Sequence, residues 1–224
     1  MSAFLWISTG TFFIQIISWT STIFVIRLLT PSDYGLMAMV VPILSFIQML
    51  SSWGFGSAII QDPELNDNKI SQIFGFVILV FGGAFILINM TAPFISSFFN
   101  EAEVVPLLRL LSINFLLMSL YIIPDSLMFR EMNFRTKTKI DIWSRLGAAI
   151  VAPACAMNSL GYWSLAIAEI CIHIIRLFYF NLSYHKRYKP SFRFTDCKDL
   201  IKFGIIVTGG NIFNYIFYQA DKII

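Results

Sequence analysis

Residues 71–99 read SQIFGFVILVFGGAFILINMTAPFISSFF, twenty-nine consecutive positions without an Asp, Glu, Lys or Arg. Coiled as an α-helix at about 1.5 Å per residue, the stretch is about 43 Å long, more than a bilayer core of about 30 Å requires. Inside lipid the backbone has no water to bond, so such a run satisfies its own N–H and C=O groups only as a helix. No polar/apolar alternation of period two competes with that reading.

The same pattern repeats on both sides. Further apolar runs occupy 4–26, 36–60, 107–128, 140–159, 162–182 and 200–220. The breaks between them hold turn and charge chemistry: Thr30-Pro31-Ser32-Asp33-Tyr34-Gly35, Gln61-Asp62-Pro63, Phe99-Asn100-Glu101 with Pro106, and the stretch from Ser183 to Asp199. The expected fold is all-α, a polytopic membrane helix bundle with six complete transmembrane helices and the start of a seventh. Composition agrees: 57% of the 224 residues are hydrophobic and 13% charged, with a mean hydropathy of +0.74, which excludes a water-soluble domain. The first run has no basic region before it and no small-residue cleavage site, so it reads as an uncleaved span rather than a signal peptide. Cys155 and Cys171 lie in apolar runs and Cys197 in a basic loop, a spacing that suggests neither a disulfide framework nor a metal site.

Basic residues are distributed unevenly. Connections two, four and six carry Lys69, then Arg130, Arg135, Lys137, Lys139 and Arg145, then Lys186, Arg187, Lys189, Arg193, Lys198 and Lys202, twelve in all, whereas the odd connections carry only Arg27 and Arg109. The positive-inside bias therefore puts the N-terminus and the even connections in the cytoplasm. A net charge of +3 spread in this way is a topology signal and gives no sign of nucleic-acid binding. The stretch from Met128 to Lys139 interleaves bases with apolar residues, as a segment lying on anionic lipid does.

Two sets of polar residues interrupt the apolar faces. In the first span Ser8, Thr11, Gln15, Ser18 and Thr22 recur at steps of three and four and share one helix face. That face either packs against another helix through its hydroxyls or walls a polar cavity. Arg27 ends this span as an interfacial anchor or a binder of an anionic head group. In the sixth span Glu169, His173 and Arg176 share a face with Tyr162. Ionisable groups within a membrane are expensive and point to a function, although Arg176 can snorkel to the interface and Glu169 can pair with a neighbouring helix. There is no P-loop, dinucleotide fingerprint or zinc spacing, and His173 and His185 are the only histidines, so neither a cofactor nor an enzyme is expected.

The stretches RLLTPSDYGLMAM (Arg27–Met39), GFGSAIIQ (Gly54–Gln61), APFISSFF (Ala92–Phe99), FREMNFRTKTKIDIWSRLG (Phe129–Gly147), GYWSLAIAE (Gly161–Glu169) and KPSFRF (Lys189–Phe194) together resemble the bacterial polysaccharide-biosynthesis flippases of the multidrug/oligosaccharidyl-lipid/polysaccharide exporter superfamily. The resemblance implies a bacterial cytoplasmic-membrane carrier that passes an undecaprenyl-diphosphate-linked oligosaccharide through a central cationic cavity between two six-helix lobes. Arg27, Arg176, Gln15 and Lys222 are then the candidates for substrate binding, and Glu169 and His173 for coupling, with lipid-linked oligosaccharide and membrane lipids as partners. Members of the family are about twice as long. On that basis 1–199 is an N-terminal six-helix lobe and 200–224 the first helix of a truncated second lobe, whose remainder is a missing partner. Lys222 aligned on Arg27 brings Asn211 and Asn214 to within one residue of Gln15 and Ser18, as a parallel repeat would. The competing functions are a drug or metabolite cation antiporter of the same superfamily, a membrane enzyme acting on lipid-linked sugars, and an inactive truncated remnant.

Orientation is testable directly. In a chain whose native cysteines are replaced by serine, Asn100→Cys is expected to react with an impermeant maleimide in intact cells, and Lys137→Cys and Lys189→Cys only after permeabilisation. Labelling of position 137 from outside would overturn the topology.

Overall fold

The computed structural model describes residues 3–184, 188–195, 197, 202, 204, 206 and 209. They form six helices: α1 (Ala3–Ile26), α2 (Pro31–Gln61), α3 (Asp67–Phe99), α4 (Val104–Arg130), α5 (Phe134–Met157) and α6 (Trp163–Ser183). Each is long and apolar enough to cross a membrane, and among the described residues there is no strand. The chain is a multi-pass membrane protein. Most of the run at 200–220, and Lys222 beyond it, lie outside the described residues.

Several helices begin earlier than the apolar runs, because their first turns are built from polar caps. Thr30 and Asp33, read from sequence as part of a turn, instead form a reciprocal cap on α2. The Thr30 hydroxyl accepts from the Asp33 N–H at 3.3 Å, and the Asp33 carboxylate accepts from the Thr30 N–H at 2.8 Å. Pro31 follows as the first helical residue, where its missing N–H leaves nothing unpaired. Asn66 caps α3 by accepting from the Lys69 N–H at 2.9 Å, and Asn133 caps α5 by accepting from the Thr136 N–H at 3.3 Å. The second cap moves the start of α5 six residues ahead of its apolar run. Arg135, Lys137 and Lys139 thus ride on the helix rather than in a loop. Arg145, counted above as a connection charge, lies about 16 Å along α5 and belongs to the span.

α4 is the central element, packed against α2, α3 and α6, while α5 joins α6 to α1. One apolar core runs through α2, α3, α4 and α6, with Phe81, Leu107, Leu108 and Phe180 almost fully buried. A smaller core joins α1, α5 and α6. There Ala148, Ala152 and Ala156 recur every fourth residue, and small residues of this kind let membrane helices approach closely. The outward faces carry large exposed apolar side chains, among them Phe12, Trp19 and Phe24 on α1 and Phe94 and Phe98 on α3, as contact with lipid requires.

The connections gather alternately at the two ends of the bundle. At one end Asp33 accepts a hydrogen bond from the Tyr162 N–H at 2.9 Å, tying the first connection to the fifth. Gly161, at φ 52°, lies against it, and a Cβ there would sit 2.7 Å from the Asp33 carboxylate. At the other end Arg130 donates to the Ile59 and Asp62 carbonyls at 2.6 Å, and the Tyr184 hydroxyl donates to Glu131 at 3.2 Å. Burial opposes ionisation of Asp62. The Glu64 N–H and the Lys69 ammonium 3.1 Å away outweigh it and hold the carboxyl below its ordinary value.

Residues 188–195 form a strap across the start of α3. The Ser191 N–H donates to the Ser71 carbonyl at 2.9 Å, and Phe194 meets Phe76 edge-on at 5.7 Å. Gly75 sits beneath the strap, where a Cβ would run into the Ser191 carbonyl. Gly75→Ala is therefore expected to lift the strap and speed tryptic cleavage after Arg193 several-fold. Gly82→Ala, which meets nothing, serves as the control. Equal cleavage rates in the two variants would show that the strap is not held at this point.

Candidate functional site

Several polar residues of α1, α2, α4, α5 and α6 border two adjoining cavities that share Glu169 and Met37 as a common wall. The first, of about 160 Å³, lies among α2, α4 and α6 and is bordered by Ser45, Gln48, Asn114, Phe115, Met118 and His173. The second, of about 270 Å³, lies among α1, α5 and α6 and is bordered by Ser18, Ser21, Thr22, Arg145, Ala148 and Ala152. A larger cavity of about 380 Å³, under the strap between α3, α4 and α6, is lined by apolar residues, Asn181 and two tyrosines. It holds none of the charged candidates and is not the site.

Glu169 reaches this junction from α6, with its side chain 49% exposed because it borders open space on both sides. Its carboxylate lies 3.7 Å from His173 Nε2, one helical turn on. The other ring nitrogen, Nδ1, is 2.9 Å from the Tyr121 hydroxyl of α4. Tyr121 stacks on Phe180 at 5.6 Å with the rings 8° apart, and the Lys137 ammonium lies over the far ring at 5.6 Å. Lys137 in turn pairs with Asp125. A column of polar and aromatic groups therefore runs from the cavity toward the strap end of the bundle.

Arg176 is paired across helices. Its guanidinium donates to Asp141 on α5 at 2.9 Å rather than to Glu169 on its own helix, and its Nε is buried without a hydrogen-bond partner. The pair anchors α6 to α5 just beyond the cavity.

The candidates on α1 divide. Ser18 and Thr22 of the polar seam border the second cavity. Gln15 is exposed and outside that wall, and the Ser8 side chain lies outside the described residues. Arg27 is exposed beyond the last turn of α1 and borders neither cavity. Lys222 lies outside the described residues.

Arg145, Asp141 and Asn114 were not singled out from the sequence. Asp141 and Arg145 are four residues apart in a run otherwise apolar enough to span a membrane, the same signal that marked Glu169 and His173. Counting Arg145 among the loop charges hid it. Among the described residues Arg145 makes no ion pair or hydrogen bond, so its guanidinium is available to the cavity it borders. Asn114 carries no charge and leaves no such trace. No cluster of three metal-ligating side chains occurs among the described residues.

A family model described as "Polysaccharide biosynthesis protein" matches residues 24–224. Over its whole length the chain is 25% identical to the teichuronic acid biosynthesis protein TuaB of Bacillus subtilis, of which it covers 47%. It is 26% identical to the succinoglycan biosynthesis transport protein ExoT of Rhizobium meliloti over 96% of this chain and 43% of that one. It is also 24% identical to the lipopolysaccharide biosynthesis protein WzxC of Escherichia coli over 85% of this chain and 39% of the relative. The chain thus spans less than half the length of the curated relatives it matches. No solved structure matches.

The Arg176–Asp141 pair makes a structural prediction. Asp141→Asn leaves a largely buried guanidinium without its counter-ion and is expected to cost about 2 kcal/mol, less than a fully buried pair because both side chains keep some exposure. Arg176→Gln added to Asp141→Asn should recover part of the loss. Unfolding midpoints of the detergent-solubilised single and double variants measure it, and additive losses would show that the two groups do not interact.

Proposed function

This chain belongs to the polysaccharide biosynthesis protein family, and from that footing we propose that it forms one lobe of a carrier translocating lipid-linked oligosaccharide of the undecaprenyl diphosphate type across the bacterial cytoplasmic membrane, with its N-terminus in the cytoplasm. Residues 1–199 are that lobe, and 200–224 begin a second one. The observation that carries this reading is the Arg145 guanidinium, which makes no hydrogen bond or close ion pair among the described residues and borders a cavity lined also by α1 hydroxyls and Glu169. An arginine held in a low-dielectric setting with its donors unspent is matched to phosphate oxygens, which it binds in pairs. The neighbouring Ser18 hydroxyl supplies a neutral donor, while the Ser21 and Thr22 hydroxyls, which donate to the Ala149 and Ser18 carbonyls, offer acceptors. In this reading the cavity is a transport site.

Arg27, exposed beyond the last turn of α1 and outside both cavities, acts as the second phosphate contact where the path opens. Gln15 and Lys222 extend the substrate path on the first and seventh spans. Arg176 contributes positive potential while committed to Asp141. Glu169 and His173 are the coupling pair: a carboxylate facing the cavity, with an imidazole behind it, takes up and releases a cation as the site changes access. The printed names of the relatives concern teichuronic acid, succinoglycan and lipopolysaccharide, which favours a glycan over a drug as cargo.

In cells whose surface glycan depends on this gene, Arg145→Ala and Arg27→Ala are expected to reduce export more than tenfold at unchanged protein abundance. Arg145→Lys should retain part of the activity, because lysine keeps the charge and loses the paired donors. Surface glycan and membrane protein level are measured together. Normal export from both alanine variants at normal abundance would remove the cationic path from the proposal.

A further inference from the structure

The cavity of about 380 Å³ under the strap lies in the angle between α3 and α6, which both pack on α4. Its wall is apolar within the bundle, at Phe74, Leu120, Ile123 and Leu177, and becomes polar toward the strap, at Asn181, Tyr184 and Tyr188. By helical rise Asn181 lies about 3 Å inside the strap end of α6, and Leu120 about 15 Å inside the matching end of α4. The lining therefore spans the depth of one leaflet, half of a bilayer core of about 30 Å. Leu120 and Asn181 are exposed, so the cavity opens on the outer face of the bundle, where lipid lies. The strap above it presents Lys189 and Arg193, both exposed and, among the described residues, without an ion pair or a side-chain hydrogen bond. The acids at this end are differently placed. Glu131 accepts from Tyr184, Asp62 and Asp125 are paired with Lys69 and Lys137, and Glu64 and Asp67 lie outside the cavity wall.

We propose that this cavity binds one anionic glycerophospholipid of the strap-side leaflet, with an acyl chain between α3, α4 and α6 and its phosphate against Lys189 and Arg193. The wall changes from apolar to hydroxyl-bearing over the distance in which a phospholipid changes from chain to head group, and tyrosine suits that boundary because one end of it is apolar and the other wet. Free phosphate would leave the apolar part of the cavity empty. An undecaprenyl chain is far longer than one leaflet is deep, and the arginine suited to its diphosphate borders a different cavity. Bound in this place, the phospholipid fills a gap between α3 and α6 and supports the strap from beneath at Tyr188, as Ser191 and Phe194 fasten it to α3.

The purified protein, delipidated in mild detergent, is mixed with equal amounts of phosphatidylglycerol and phosphatidylcholine of the same chain length, and the lipid that stays bound is counted by native mass spectrometry. One phosphatidylglycerol per chain is expected, preferred over phosphatidylcholine about tenfold through its two basic contacts. Leu120→Trp and Asn181→Trp each place a large ring in the cavity from an exposed position and should abolish retention at an unchanged unfolding midpoint. Lys189→Gln combined with Arg193→Gln should bring phosphatidylglycerol down to the level of phosphatidylcholine. These two changes lie on the exposed strap and leave the core untouched, so they test the site even if a tryptophan variant unfolds. Undiminished retention in both tryptophan variants would mark the lipid as annular only and overturn the site, as would equal retention of the two phospholipids by the unaltered protein. Displacement of bound phosphatidylglycerol by an equal amount of undecaprenyl phosphate would make the cavity part of the cargo path and likewise overturn the proposal.

Discussion

A bilayer core contains no water to take up a spare hydrogen bond, and that constraint organises the molecule. It forces the backbone into helices, and it then requires partners for the polar groups at each helix end. The Thr30–Asp33, Asn66 and Asn133 caps meet that requirement at three starts, while Asn100, in the left-handed region at φ 56°, ends α3 with its N–H on the Ser96 carbonyl. Within the spans the same requirement sorts polar side chains into those committed to one another, such as Arg176 with Asp141, and those that border open space, such as Glu169 and Arg145. The second group is where a ligand has something to offer.

The aromatic column behind Glu169 links packing to the site. Tyr121 is stacked between His173 and Phe180 and is held by α4, the helix that touches most of its neighbours, so the imidazole keeps one orientation relative to the cavity. Because His173 Nδ1 faces the tyrosine hydroxyl, Nε2 is the nitrogen presented to Glu169. Glu169 thus faces the cavity with an imidazole of fixed orientation behind it.

Most of the fold was legible in the sequence because the signal for a span is long and redundant. Runs such as 71–99 and 162–182 matched their helices within a few residues. The misses were at helix starts, where polar caps look like turns: Thr30–Gly35 was read as a break although α2 begins within it, and α5 starts at Phe134 rather than at its first apolar residue. The site was less legible. Periodicity placed Glu169, His173 and Arg176 on one face, but a periodic face does not reveal what lies across from it, so Asp141 was not foreseen as the partner of Arg176. Arg145 was missed because a basic residue near a cytoplasmic loop counts as a topology signal until the helix start is known. Asn114 had no signal, since a single uncharged amide leaves the hydropathy of its run almost unchanged.

The bond from Asp33 to the Tyr162 N–H has a mechanical meaning beyond closing one end of the bundle. It braces the α1/α2 corner against the α5/α6 corner, and Arg130 and the Ser191 strap brace the opposite end on the carbonyls of Ile59, Asp62 and Ser71. A bundle tied at both ends resists shear between its own helices. Any movement of the bundle as one block would leave a cavity on its flank unchanged in shape.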